Sequence, residues 1–303
     1  MHLPTRIGKY ELLQYLGGGM SDVYRARDTN LGRTVAFKIL TQAALADDTA
    51  KSRMQEEARV AGGLAHENVI AFYDYGEEAG RPFLVMEYFE GETLREALRG
   101  GRAGDLRKRL LIARQVANAL AYVHSKGIVH RDVKPDNVRI DTSGNIKLMD
   151  FGVAKSGDLS LTASGFTVGT PYYMAPEQIR GAKPTHLVDI YAFGVVLFEL
   201  ITETRPFEAP TPSEIFDLIL GRPLDTGTLV RLGVPSGLVD LIRAATEKDP
   251  SQRPQDFSAV VRRIEKVLAD LAARNRRRKL RWLLIAAFAL LLVIAAYFLL
   301  RTL

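Results

Sequence analysis

Cysteine is absent from the 303 residues. Disulfide scaffolds, cysteine nucleophiles, thiolate zinc sites and iron–sulfur clusters are excluded together, and nothing in the chain calls for an oxidising compartment. Proline (13) and glycine (25) are too few for a collagen-like or low-complexity chain, and 47% hydrophobic with 25% charged residues excludes disorder as the main state. Residues 8–270 contain no internal repeat and no Pro/Ser-rich linker. The first six residues, ending at Arg6, open no apolar run, so no signal peptide is expected. The length suits one large domain or two small ones, each with a buried core.

A broad basic face is also missing. The net charge is +6, but seven of the 41 Lys and Arg residues lie in 271–303, which has no Asp or Glu. That leaves 34 bases against 35 acids in residues 1–270. Phosphate-neutralising charge is therefore lacking in the body, and nucleic acid is not an expected partner.

The basic run borders a long apolar one. Residues 282–300 are 19 consecutive positions without charge, Gly or Pro. As a helix they would extend ~28 Å, the thickness of a bilayer core. A buried core helix would be shorter and would keep a polar face. Arg274, Arg276, Arg277, Arg278, Lys279 and Arg281 precede the run and Arg301 alone comes after it. The positive-inside rule then predicts a single-pass cell-membrane protein with residues 1–281 cytoplasmic and 301–303 outside. Trp282 and Tyr297 fall near the two interfaces, and the cluster suits an anionic leaflet. The lipid bilayer is thus an expected partner.

Along the body, short apolar stretches bounded by Gly, Asn and Asp predict strands at 10–15, 23–27, 33–40, 71–75 and 82–88, with one helix at 50–64. From Thr93 onward helical periodicity dominates, at 106–124, at 189–202, and through Phe257, Val260, Val261, Ile264, Leu268 and Leu271. The pattern predicts a small β-rich lobe followed by a larger helical one.

Between the first two predicted strands stand Leu16, Gly17, Gly18, Gly19, Met20, Ser21, Asp22 and Val23. Successive glycines let backbone N–H groups approach phosphates, although a plain hairpin turn would use them too. Lys38 follows Ala36 within the apolar strand Val35, Ala36, Phe37, Lys38, where an unpaired ammonium is costly. Glu57 on the predicted helix is an available partner.

Farther on, HRDVKPDN at 130–137 packs a base, a cation and an amide into one loop, and Asp150, Phe151 and Gly152 come 13 residues after Asn137. With Lys38, Glu57 and the glycine segment, this order and spacing resembles the eukaryotic-like protein kinases, in the style of the bacterial Ser/Thr branch. The resemblance continues in Met86, Glu87 and Tyr88, in GTPYYMAPE at 169–177, in DIYAFG at 189–194 and in Arg253 as partner of Glu177. It implies an α+β, bilobal kinase fold over 10–270, with an N-lobe at about 10–89 and a C-lobe at about 90–270. A basic linker at 271–281 and a C-terminal membrane helix would come next.

The resemblance also implies ATP and magnesium as cofactors and Ser/Thr acceptors on proteins as substrates. Asp132 would orient the hydroxyl and take its proton, Lys134 would reach the γ-phosphate, and Asn137 with Asp150 would hold magnesium. Lys38, paired with Glu57, would hold the α/β-phosphates. Leu16, Gly17, Gly18, Gly19, Val23 and Ala36 would cover the nucleotide, Met86 would stand behind the adenine, and Glu87 and Phe89 would meet its edge. Arg131 would grip a phosphate on the activation segment, with Thr162 and Ser164 as first acceptors and Thr167 another. Homodimerisation through the kinase domain, with phosphorylation in trans, stays open.

Two positions depart from the family pattern. The glycine segment is one residue short, its third glycine position falling on Asp22 or Ser21. Arg139 stands where an apolar adenine floor is usual, its aliphatic stem expected to serve with the guanidinium in solvent. The alternative reading is a membrane-anchored pseudokinase scaffold that keeps the fold without phosphoryl transfer.

Overall fold

The computed structural model of the chain describes residues 6–151 and 171–301, with side chains omitted at 48 and at most positions from 278 onward. Strands β1 (Arg6–Ile7), β2 (Tyr10–Gly18), β3 (Ser21–Asp28) and β4 (Arg33–Leu40) form successive antiparallel pairs. Helix α1 (Asp48–Ala61) intervenes before β5 (Phe72–Glu78) and β6 (Arg81–Glu87). The sheet order is β1-β2-β3-β4-β6-β5.

Alternation along β4 decides its two faces. Val35, Phe37 and Ile39 are buried with Tyr10, Tyr24, Ala26 and Val85, and Phe37 stacks on Phe83 at 4.8 Å between centroids. Ala36 and Lys38 consequently face the other way, toward α1 and the cleft. Asp47 caps α1, accepting the Thr49 N–H at 2.9 Å, and Gly62 closes it by donating to the Ala58 carbonyl. The helix expected at 50–64 therefore stops at the Gly62-Gly63 pair.

Strand β2 outruns the expected 10–15 because irregularities between Leu12 and Gln14 and between Tyr15 and Gly17 let its pairing with β3 continue. Gly17 pairs with Val23 and Gly18 with Asp22, so only Gly19 and Met20 form the tip. The Met20 carbonyl accepts the Thr41 N–H at 3.0 Å, fastening that tip to the end of β4.

The second lobe opens with β7 (Glu92–Thr93) and α2 (Leu94–Arg99), where Thr93 and Glu96 form a reciprocal capping box. Helix α3 (Leu106–Ser125) buries Leu110, Ala113, Val116, Ala117, Leu120 and Val123. The short hairpin β8 (Val138–Ile140) and β9 (Ile146–Leu148) joins β7 in a small sheet. Helix α4 (Pro176–Ile179) precedes α5 (Leu187–Thr202), which is buried on all sides and is the lobe's central element. Helices α6 (Pro212–Gly221), α7 (Gly227–Arg231) and α8 (Ser236–Ala245) complete the bundle.

Helix α9 (Phe257–Arg301) packs Phe257, Val260, Ile264 and Val267 into the core and then runs on through the basic segment. The expected span at 282–300 lies within this helix, but most of its side chains fall outside the described ones. Among the described residues no helix is long and apolar enough to cross a membrane.

Candidate active site

Lys38, on the cleft face of β4, places Nζ 3.2 Å from both carboxylate oxygens of Glu57 on α1. A partner that the sequence does not predict, Asp150 Oδ1, lies 3.1 Å away. Burial works against the ammonium, but Asp150 and Glu57 outweigh it and hold the lysine pKa above its ordinary value. The Lys38 charge holds the Asp150 carboxyl below the usual carboxylate range. Sheet, helix and the segment after β9 are thus joined at one cation.

Asp132 lies opposite, in the loop before β8. Its Oδ2 accepts Lys134 Nζ at 2.8 Å and Asn137 Nδ2 at 3.0 Å, and the same amide donates to the Asp132 carbonyl at 2.8 Å. With its nitrogen so engaged, Asn137 offers Oδ1 to a ligand. The Met149 N–H donates to the Asn137 carbonyl at 2.9 Å, which brings the approach to Asp150 alongside Asn137. Asp132, Asn137 and Asp150, the first and second of them 18 and 13 positions before the third, are in this way gathered at one end of the small sheet.

The loop is held from below by Asp189, whose role the sequence alone does not predict. Fully buried at the start of α5, Asp189 accepts the His130 N–H at 2.7 Å, the Arg131 N–H at 2.8 Å and His124 Nε2 at 2.8 Å. Arg131 has φ 65°, a backbone state unfavourable for a residue with a side chain, and this double clamp maintains it. His130 is fully buried, and burial pushes its pKa down. Its Nε2–H donates to the Met149 carbonyl at 3.0 Å while Nδ1 accepts the Asp132 N–H at 3.3 Å, the pattern of one neutral tautomer. The motif DIYAFG contains the signal for Asp189; its partners, some 60 residues earlier, do not show in it.

Between the lobes, Ile70, Leu84 and Met86 form an apolar patch with Ala36, Phe89 and Met149 against it. Val23 pairs opposite Lys38, and Leu16 is partly exposed near the hairpin. Glu87 donates its N–H to the Ala71 carbonyl at 2.8 Å, and its carboxylate meets Lys147 Nζ at 2.8 Å. Val138 and Ile140 are buried in the helical lobe, so Arg139 between them faces the other way, half-buried, and its guanidinium donates to the exposed Gly91 carbonyl. Pairing of Arg139 with Thr93 brings it under the chain entering β7. Gly91, at φ 149°, has no room for a side chain: a Cβ would stand 2.2 Å from the Ile140 carbonyl oxygen.

Glu177 and Arg253 are joined as expected, by two bonds of 2.7 and 2.8 Å. Thr162, Ser164 and Thr167 lie outside the described residues.

The protein kinase domain family matches residues 10–265. The chain is 39% identical over 248 residues to the serine/threonine-protein kinase PrkC of Bacillus subtilis, covering 81% of this chain and 38% of that one. It is 36% identical over 258 residues to the serine/threonine-protein kinase PknL of Mycobacterium tuberculosis, covering 84% and 64% respectively. The chain therefore spans between about two fifths and two thirds of these relatives' length. A crystal structure of Rad53 1–466 in complex with AMP-PNP superposes with a TM-score of 0.68 at 26% identity, over 84% of this chain and 64% of that one. Matched over residues 10–265 and carrying this charged cleft, the chain belongs to the protein kinase domain family.

Proposed function

We propose that the chain transfers the γ-phosphate of ATP to Ser and Thr hydroxyls of proteins, its own activation segment included, while tethered to a bilayer by its C-terminal helix. The observation that carries the phosphotransfer reading is the approach of Lys38 to Glu57 and Asp150 together with Asp132 held by Lys134 and Asn137. Phosphoryl transfer needs positioning and charge neutralisation more than covalent chemistry. Lys38 supplies a fixed positive charge for the α/β-phosphates, and Lys134 supplies a second beside the acceptor. Asp132 orients the acceptor hydroxyl and takes its proton. The apolar patch of Ala36 and Met86 accommodates a base, with backbone groups of Glu87 and Phe89 at its edge and the Arg139 stem beneath.

Asn137 and Asp150 offer an amide and a carboxylate oxygen, the hard donors magnesium takes, and these residues would hold it. Bound there, the ion supplies neutralisation of phosphate oxygens. Arg131, beside Asp132, would grip a phosphate on Thr162, Ser164 or Thr167. Tethering is supported by the uncharged run 282–300 behind its basic cluster and by Leu283, Leu284, Ile285 and Phe288, each more than half exposed on α9.

The test is incorporation of labelled γ-phosphate by the full chain in lipid nanodiscs, with acceptor sites mapped by mass spectrometry. The wild type is expected to label Ser or Thr and the Lys38→Met protein is not; equal labelling would overturn the reading, and a folded wild type that never labels would favour a scaffold.

The short hairpin gives a second expectation. A Cβ at Gly18 would stand 2.8 Å from both the Ser21 carbonyl oxygen and the Tyr15 hydroxyl and 2.9 Å from Asp22 Oδ1. Gly18→Ala should therefore deform the phosphate side of the cleft and weaken ATP binding by on the order of 1 kcal/mol, roughly a fivefold rise in KM with kcat retained. Steady-state rates at varied ATP check it.

A further inference from the structure

On the face of the first sheet turned away from the cleft, one cation reaches across to the glycine hairpin. Opposed residues of antiparallel strands share a face, so Asp22 on β3 stands beside Ile39 on β4, and Ile39 beside Phe83 on β6. Arg81, two residues before Phe83, keeps to that face. Its side chain crosses the end of β4: Nε donates to the Leu40 carbonyl at 2.7 Å, and Nη2 lies 3.8 Å from Asp22 Oδ2. Both side chains are largely covered, Arg81 at 18% exposure and Asp22 at 23%.

The hairpin has little else to hold it. Gly17, Gly18 and Gly19 have no side chains to pack, and Leu16 and Met20 are exposed. Beyond the turn, the Met20 carbonyl accepts the N–H and the hydroxyl of Thr41, at 3.0 and 3.2 Å. Asp22 is the single charged side chain in residues 16–23. It spans both strands of the hairpin, with Oδ1 against Gly18, where a Cβ would stand 2.9 Å away, and Oδ2 toward Arg81.

We propose that Arg81 is a positioning residue for the nucleotide: through Asp22 and the Leu40 carbonyl it holds the shortened hairpin in register over the phosphates, and it touches no ligand itself. The inference rests on the phosphotransfer reading for its nucleotide. Backbone N–H groups bind phosphate only where the chain keeps them aimed, and a hairpin pinned beforehand loses less freedom when ATP arrives. The base is met elsewhere, at the paired residues Ala36 and Met86, toward the opposite end of β6. Pinning should therefore act on the phosphates and not on the adenine.

The test measures ligand binding and turnover by the full chain in lipid nanodiscs. Asp22→Ala removes the carboxylate and Arg81→Met the guanidinium. In each, the Kd of magnesium-ATP, from isothermal titration, should rise roughly three- to tenfold, the worth of a partly exposed charge-assisted contact. KM for ATP should rise with it, while kcat and the KM for a serine peptide stay within about twofold. Adenosine, which has no phosphate, should bind within about twofold of wild type, whereas general loosening of the lobe would weaken both ligands alike. The double variant should bind ATP within about twofold of the weaker single one, as expected for two members of one contact. Arg81→Lys restores a cation and should bind ATP more tightly than Arg81→Met. If Arg81→Met does not fold, Asp22→Ala and Arg81→Lys make the same comparison of ATP with adenosine.

Unchanged ATP affinity in the folded variants would overturn the proposal, as would equal losses for ATP and adenosine. A wild type that binds ATP but transfers no phosphate would instead count against phosphotransfer itself, with the pinning still decided by Kd. A wild type that binds no ATP would overturn both.

Discussion

Replacing Asp132 with Asn is expected to lower kcat for phosphate transfer by roughly 10²–10⁴, the range contributed by a positioned group that accepts a proton in the transition state. The side chain is nearly isosteric, so the fold should survive and the effect should lie in the chemistry. Asp132 Oδ2 accepts from both Lys134 Nζ and Asn137 Nδ2. An amide at this position keeps one acceptor oxygen but presents an NH₂ group that takes up no proton. The acceptor hydroxyl then loses its base, and Lys134 loses the negative charge that orients it. Nucleotide binding should be almost untouched, because Lys38, Glu57 and the Met86 patch belong to other elements. Initial rates with ATP and a serine peptide varied independently separate these effects: kcat falls while KM for ATP stays within about twofold. A variant retaining roughly a tenth or more of the wild-type kcat would mean that another group accepts the proton.

The legible parts of this site are those whose chemistry is written in one short run or one alternating strand. Asp132, Lys134 and Asn137 lie within six residues, and their mutual bonds follow from a tight loop. Lys38 is readable because a charge in an apolar strand must be satisfied, and Glu57 satisfies it. Its second partner, Asp150, is 112 residues away, and only the packing of the two lobes brings them within 3.1 Å. The same separation hides the support of the site. Asp189 looks like the first residue of an apolar helix, and nothing local tells that its oxygens meet two backbone N–H groups near position 130. Arg95 looks like a solvated helix position until Glu199, 104 residues on, is placed against it. For Arg139, nothing in its own strand names the Gly91 carbonyl that its guanidinium meets; that contact is set by the pairing with β7, 46 residues earlier. Local chemistry names the reacting groups, while the groups that aim them are found by long-range contact.

Arg253 carries the largest expected effect on stability. It is 3% exposed and uses every nitrogen of its guanidinium. Beyond the two bonds to Glu177, Nε donates to the Glu247 carbonyl at 2.8 Å, Nη1 to the Leu187 carbonyl at 2.9 Å and Nη2 to the Lys248 carbonyl at 3.3 Å. Its guanidinium also lies 5.0 Å from the centroid of the Tyr191 ring. Arg253→Met would leave the Glu177 carboxylate and the three carbonyls without this partner, and breaking such a buried pair costs about 3–5 kcal/mol. At about 2–4 °C per kcal/mol for a domain of this size, Tm should fall by roughly 6–20 °C. Adding Glu177→Gln removes the stranded charge, so the double variant should be more stable than Arg253→Met alone by about 1–3 kcal/mol. A Tm within about 2 °C of wild type would show that water replaces the guanidinium without loss. The pH dependence provides an independent check. Lys248, with Nζ 5.7 Å from the Tyr191 centroid, has its pKa pushed down to about 8, first by burial and then by the Arg253 charge. Between about 8 and the ordinary 10.5 the unfolded chain therefore binds more protons at this lysine than the folded one, and its contribution makes stability rise with pH across that window. Without Arg253 the depression is smaller, so the rise begins at higher pH and is shallower. Urea unfolding of both proteins at a series of pH values measures the difference, and parallel curves would show that burial alone sets the Lys248 pKa.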